Sequence, residues 1–233
     1  GGEIRRFFMS ETLLMIFEII GTVAFSVSGA MVGIAKKMDI FGIVILGLTT
    51  AVGGGVIRDV VLGITPPITF VNPVYAAIAV VTAIVVFLPS VRRIITKSPA
   101  YYEKVLLLMD SIGLGVFTAV GIRTAYGASY ETADANNIFL LIFVGLVTGV
   151  GGGVLRDIMA GDRPYIFVKH FYASASLIGA VICSLMWGYF GQTISMTAGT
   201  AVVITLRLCA ARFRWSPVSY THLRAHETPE HLV

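Results

Sequence analysis

Three observations predict an all-α polytopic membrane protein: seven transmembrane helices, arranged as two inverted three-helix repeats plus a seventh helix. The first is composition. Of 233 residues, 56% are hydrophobic and only 13% charged, against roughly 25% charged in a soluble domain. The second is segmentation into seven apolar stretches, since a bilayer core takes about 20 apolar residues per helix. The third is a motif that occurs twice, Gly53-Gly54-Gly55-Val56-Ile57-Arg58-Asp59 and Gly151-Gly152-Gly153-Val154-Leu155-Arg156-Asp157.

The predicted spans are 12–35, 40–64, 73–88, 105–122, 138–160, 171–190 and 193–211. The first is longer than the 7–15-residue core of a signal peptide, and it has a counterpart later in the chain, so it reads as a mature span. The third is short and bracketed by Pro73 and Pro89. Loops at 36–39, 92–103 and 162–170 are polar, whereas 65–72 and 191–192 carry no charge.

The two motif copies align at an offset of 98, which also matches Gly47, Ala51 and Gly55 with Gly145, Gly149 and Gly153. Upstream, an offset of 92 pairs Glu18 with Asp110, Gly21 with Gly113, Phe25 with Phe117, Ser26 with Thr118 and Gly29 with Gly121. Downstream, Tyr75-Ala76 meets Tyr172-Ala173 at 97. The offset changes fall in loops, where insertions are tolerated. The expected organisation is an extracytoplasmic segment 1–9, repeat one over 10–98, repeat two over 99–191, a seventh helix over 192–214 and a tail over 215–233. Three spans per copy is an odd number, so the second copy enters from the opposite side. Transport pathways run at such pseudo-twofold interfaces in many proteins, near the midplane.

Lys and Arg counts set the orientation. One face has ten (Lys36, Lys37, Arg92, Arg93, Lys97, Lys104, Arg163, Lys169, Arg212, Arg214) and the other three (Arg5, Arg6, Arg123). The expectation is a multi-pass protein of a prokaryotic cytoplasmic membrane, N-terminus outside and C-terminus inside, in contact with lipids. Its net charge of +4 is no nucleic-acid signal, because the basic residues sit between apolar segments. Cys183 and Cys209 form neither a disulfide framework nor a metal spacing and read as small hydrophobes. From about Pro217 the sequence abandons the apolar pattern and carries His222, His226 and His231. That string reads as a non-native disordered tail resembling translated adapter sequence, and it is left out of fold and function.

Gly53 and Gly151 each lie twelve residues into a span, roughly 18 Å along a helix and so near the middle of a core roughly 30 Å thick. Two readings stand at the glycines. An interrupted helix frees carbonyls that bind a cation; Gly53, Gly54, Gly55, Gly151, Gly152 and Gly153 would then line a path, with transient K⁺ near Gly53 and Gly151. Alternatively, the small-residue stripes serve close helix packing. Arg58-Asp59 and Arg156-Asp157 follow one turn later. Adjacent helical residues do not face each other, so the expectation is cross-pairing between copies or exposure to water rather than an internal bridge. Glu18 and Asp110 are path candidates or acids at span ends. Ser26, Ser28 and Thr118 line a pore or bond their own backbone. Arg207 needs a partner that the sequence does not name. Neither Walker, zinc-protease nor Thr-Val-Gly-Tyr-Gly filter motifs occur, so no enzyme, cofactor or tight metal site is expected.

The twin glycine–Arg–Asp motifs in spans two and five resemble the prokaryotic trimeric intracellular cation (TRIC) channels, a family also labelled with paired glycine-transporter domains. The resemblance covers about 10–212. It implies a homotrimer with a pore in each subunit, conduction of monovalent cations, chiefly K⁺, and kinked glycine helices along the pore. By resemblance the motif positions are Gly53–Gly55, Arg58, Asp59, Gly151–Gly153, Arg156 and Asp157. The alternative is a carrier of glycine or another small neutral amino acid, because split helix ends suit a zwitterion too.

Overall fold

In membrane-like apolar surroundings every backbone N–H and C=O must be satisfied within the segment, which leaves helices for a chain of this pattern. The computed structural model describes residues 2–131, 137–168, 171–213 and 215. They form α1 (Gly2–Ala35), α2 (Ile40–Val61), α3 (Ile68–Val71), α4 (Val74–Phe87), α5 (Pro89–Ile95), α6 (Pro99–Glu131), α7 (Ile138–Met159), α8 (Tyr165–Val168) and α9 (Tyr172–Phe213). The tail reading and the Lys169–His170 part of its loop lie outside the described residues, Trp215 apart.

Five of these helices are long and apolar enough to cross a membrane, or six if α4 and α5 count as one bent span. The fifth, α9, is broken at Gly191, where φ is 74° and ψ 176°. A Cβ on Gly179 would meet Val203, and one on Gly199 would lie 2.7 Å from Cys183 Cβ. Both contacts are symmetric about residue 191, so 172–190 and 192–213 fold back on each other. A left-handed φ is what glycine supplies without a Cβ penalty.

Several edges differ from the sequence reading. Helix α1 extends back to Gly2 through the segment expected ahead of the first span, and α6 is 33 residues long. The loop read at 92–103 contains most of α5, which starts with Pro89 at its first turn, a position where proline's missing N–H costs nothing. Helix α5 leaves α4 at 77°.

The duplication is visible in the contacts. Asp39 caps α2 by accepting from Gly42 N, and Asn137 caps α7 by accepting from Leu140 N. Ser26 Oγ donates to Ala79 O at 2.6 Å, while its counterpart Thr118 is 2.7 Å from the Ser176 hydroxyl. Phe25 and Phe117, themselves counterparts, meet with ring centroids 5.4 Å apart. A contact between equivalent residues lies on the pseudo-twofold axis, as at any isologous interface.

Candidate functional site at the α2–α7 crossing

The structure overturns the interrupted-helix reading. Helix α2 runs unbroken through Gly53–Gly55, and α7 through Gly151–Gly153. Magnitudes explain why. Three glycines cost a helix about 3 kcal/mol together. Each backbone polar group left unpaired in an apolar interior costs several. The helical ladder therefore persists, and the carbonyls of Gly53 and Gly151 are not freed as cation ligands.

The glycines instead let two backbones touch. A Cβ on Gly54 would run into Thr148 O, and one on Gly152 into Thr50 O. These contacts are exchanged by the repeat. As the α2 residue goes from 54 to 50, its α7 partner goes from 148 to 152, so the helices cross antiparallel. The neighbours α1–α2 and α6–α7 approach equally closely. A Cβ on Gly29 would meet Thr50 Oγ1 and one on Gly121 Thr148 Oγ1, at 2.5 and 2.6 Å. Thr50 and Thr148 return their hydroxyls to Leu46 O and Val144 O, which keeps these polar groups satisfied beside bare backbone. Sequence reasoning passed over both threonines, although the 98-residue offset pairs them.

Beyond the crossing lie two charged clusters, one per repeat. The expected absence of an internal bridge was wrong. Arg58 Nε donates to Asp59 Oδ1 at 2.8 Å, and Arg156 Nε to Asp157 Oδ1 at 2.9 Å. The long arginine arm curls back over its neighbour, a geometry that the i,i+4 rule for helix faces does not cover. The second aspartate oxygen is equally committed. Asp59 Oδ2 accepts from Ile68 N, the first residue of α3, and Asp157 Oδ2 from Tyr165 N, the first of α8. Each Arg-Asp pair thus staples the short helix that follows its span.

The clusters then diverge. In repeat two, Asp110 is fully buried and takes Arg156 Nη1 at 2.6 Å and Arg207 Nη2 at 3.2 Å. Arg156 also donates to the Ser28 hydroxyl. The guanidinium groups lie 4.7 Å over the Tyr165 and Tyr172 rings, respectively. Outside the spans, burial raises the pKa of the Tyr165 phenol, so that ring is a neutral cation–π face. The missing partner of Arg207 is therefore Asp110. In repeat one, Glu18 faces the Tyr75 hydroxyl, the counterpart of Tyr172, with Arg58 nearby. These residues line a cavity of about 40 Å³ together with Thr22, Gly55 and Thr69. Of the predicted residues, the structure brings Glu18, Arg58 and Asp59 together at one cluster and Asp110, Arg156 and Asp157 at the other. Ser26 and Thr118 pack between helices, each buried and hydrogen-bonded to backbone.

Known proteins share this architecture. A family model described as Glycine transporter matches residues 15–90 and 107–188, one match per repeat. The chain is 32% identical to the UPF0126 inner membrane protein YadS of Escherichia coli, over 85% of this chain and 90% of that one. Among solved structures, a TRIC cation channel is 35% identical with a TM-score of 0.76, covering 88% of this chain and 95% of its own. The TRIC channel orthologue of Rhodobacter sphaeroides is 30% identical with a TM-score of 0.77, covering 88% and 100%. The chain belongs to the prokaryotic trimeric intracellular cation channel family, whose sequence model bears the description glycine transporter.

Proposed function

We propose that this protein is a non-enzymatic, multi-pass inner-membrane channel for monovalent cations, chiefly potassium, with seven crossings and a pore in each subunit of a homotrimer. The observation that carries the reading is the pair of ion-pair clusters set inside apolar helices, one on each side of the α2–α7 crossing. Ionisable groups within spans are expensive and mark ion pathways. The likeness to solved TRIC cation channels points the same way and does not favour the glycine carrier. Because the glycine carbonyls stay in the helical ladder, we assign the transient K⁺ ligands to the oxygens around the Glu18 cavity. These are Glu18, Thr22 and Tyr75, oxygen donors of the kind that hard cations take. The other end is sealed by Asp110, Arg156 and Arg207, so conduction requires those ion pairs to part. From the ten Lys and Arg against three we assign that sealed end to the cytoplasmic side.

Purified protein in a planar bilayer under a KCl gradient should pass current that reverses near the K⁺ equilibrium potential, with or without glycine. Absence of current, together with glycine uptake into proteoliposomes, would overturn this reading in favour of the carrier.

A further inference from the structure

Away from the crossing, the chain turns from α1 to α2 beside the bend between α4 and α5. The geometry there points to a binding site for one anionic phospholipid: we propose that its phosphate sits between Lys37 and Arg92 and an acyl chain runs along Phe87 and Ile34. The proposal stands independently of the channel reading.

The two cations reach one groove from different elements. Lys37 N bonds Ile34 O and Met38 N bonds Gly33 O, both at 3.0 Å, the pattern of a Schellman cap. Lys37 itself takes the left-handed position, φ 57°, which usually belongs to glycine. Its neighbour Lys36 is already committed to Asp162 across the repeats, and Asp39 is committed to capping α2, which leaves Lys37 to the groove. Arg92 comes from α5 and lies 5.7 Å over the Phe87 ring. The 77° bend carries α5 away from the direction of α4.

Between them is a groove of about 390 Å³ whose remaining walls include Ile34, Met38, Ile43 and Phe87. Ile34 and Thr96 also wall an adjoining space of about 250 Å³, which adds Ser98 and Tyr102. Two cations beside apolar walls match a glycerophospholipid with a net negative headgroup. The groove lies beside the C-terminal ends of α1 and α4, and Ile84 and Leu88 near the end of α4 are exposed apolar residues. A cationic residue near a membrane surface contributes to anionic-lipid binding. A soluble phosphate would match the cations but would leave the apolar walls empty.

The test is retention of lipid by the intact protein extracted from mixed phosphatidylglycerol and phosphatidylcholine bilayers, read by native mass spectrometry. Wild type should keep phosphatidylglycerol in preference to phosphatidylcholine. Lys37→Ala with Arg92→Ala should weaken that retention on the order of 30-fold, from two cation contacts. Arg93→Ala with Lys97→Ala removes the same charge outside the groove and should leave retention near wild type. Equal losses in both double variants would show general surface attraction and overturn the proposal. So would displacement of the lipid by millimolar inorganic phosphate. If the first pair unfolds, Lys37→Gln alone should still lower retention several-fold, and unchanged retention would likewise overturn it.

Discussion

Alanine at Gly54 or Gly152 is expected to lose the folded protein before it alters any current. In a free helix that change stabilises by up to about 1 kcal/mol. Here the new methyl group would run into Thr148 O or Thr50 O. The obstacle is backbone in the facing helix, which cannot rotate aside as a side chain would. Overpacking of this kind costs typically 1–3 kcal/mol, and a carbonyl clash at the tightest approach belongs at the upper end. The two sites share one crossing, so their effects will not add. Gly188→Ala supplies the control, because no described residue lies within 4 Å of its Cβ position. Thermal unfolding in detergent should show a large drop in Tm for Gly54→Ala and Gly152→Ala and none for Gly188→Ala. Equal Tm values across the three would refute the packing role. Any loss of conduction in these variants is then read together with their assembly.

The second large effect is expected from Asp110→Asn. The side chain keeps its shape and loses the charge that faces both Arg156 and Arg207, two guanidinium groups with 0% and 4% exposure. Removing one partner of a buried pair costs about 3–5 kcal/mol, chiefly because the other charge is left uncompensated. Arg156 retains Asp157, so Arg207 is the orphan. Arg207→Gln in the Asp110→Asn background should therefore recover stability, while Arg207→Gln alone should destabilise. The matched change Glu18→Gln should cost less, since that carboxylate borders a cavity and is held by Tyr75 rather than by two arginines. A double-mutant cycle on unfolding free energy reads the coupling. Additive effects of the Asp110 and Arg207 changes would contradict the cluster as described.

Much of this was legible in the sequence because a duplicated chain states its geometry twice. The 98-residue offset correctly pairs the caps Asp39 and Asn137, the motif glycines and the Arg-Asp staples. The 92-residue offset pairs Phe25 with Phe117 and the acids Glu18 with Asp110. The misreadings have physical causes. Glycine triplets look like breaks when judged by propensity in water, but an apolar interior raises the cost of an open backbone above that of the glycines. Cβ directions point neighbouring Arg and Asp apart on a helix, but the arginine arm is long enough to curl back to the carboxylate. Arg207 lies on the helix outside the duplication, so no internal comparison could name Asp110 as its partner. The bend into α5 was hidden for a different reason: Pro89 signals a boundary but not the angle of the segment that follows.

The antiparallel α2–α7 crossing requires the second repeat to enter the membrane opposite to the first. Ile40 and Ile138 are counterparts at the first residues of α2 and α7, and both side chains are exposed. Single cysteines at the two positions, in a background with Cys183 and Cys209 replaced, can be probed in sealed inverted and right-side-out vesicles with a membrane-impermeant thiol reagent. Labelling is expected from opposite faces, Ile40→Cys from the cytoplasm and Ile138→Cys from outside. Labelling of both from the same face would contradict the inverted duplication, and with it the paired clusters on which the proposed path depends.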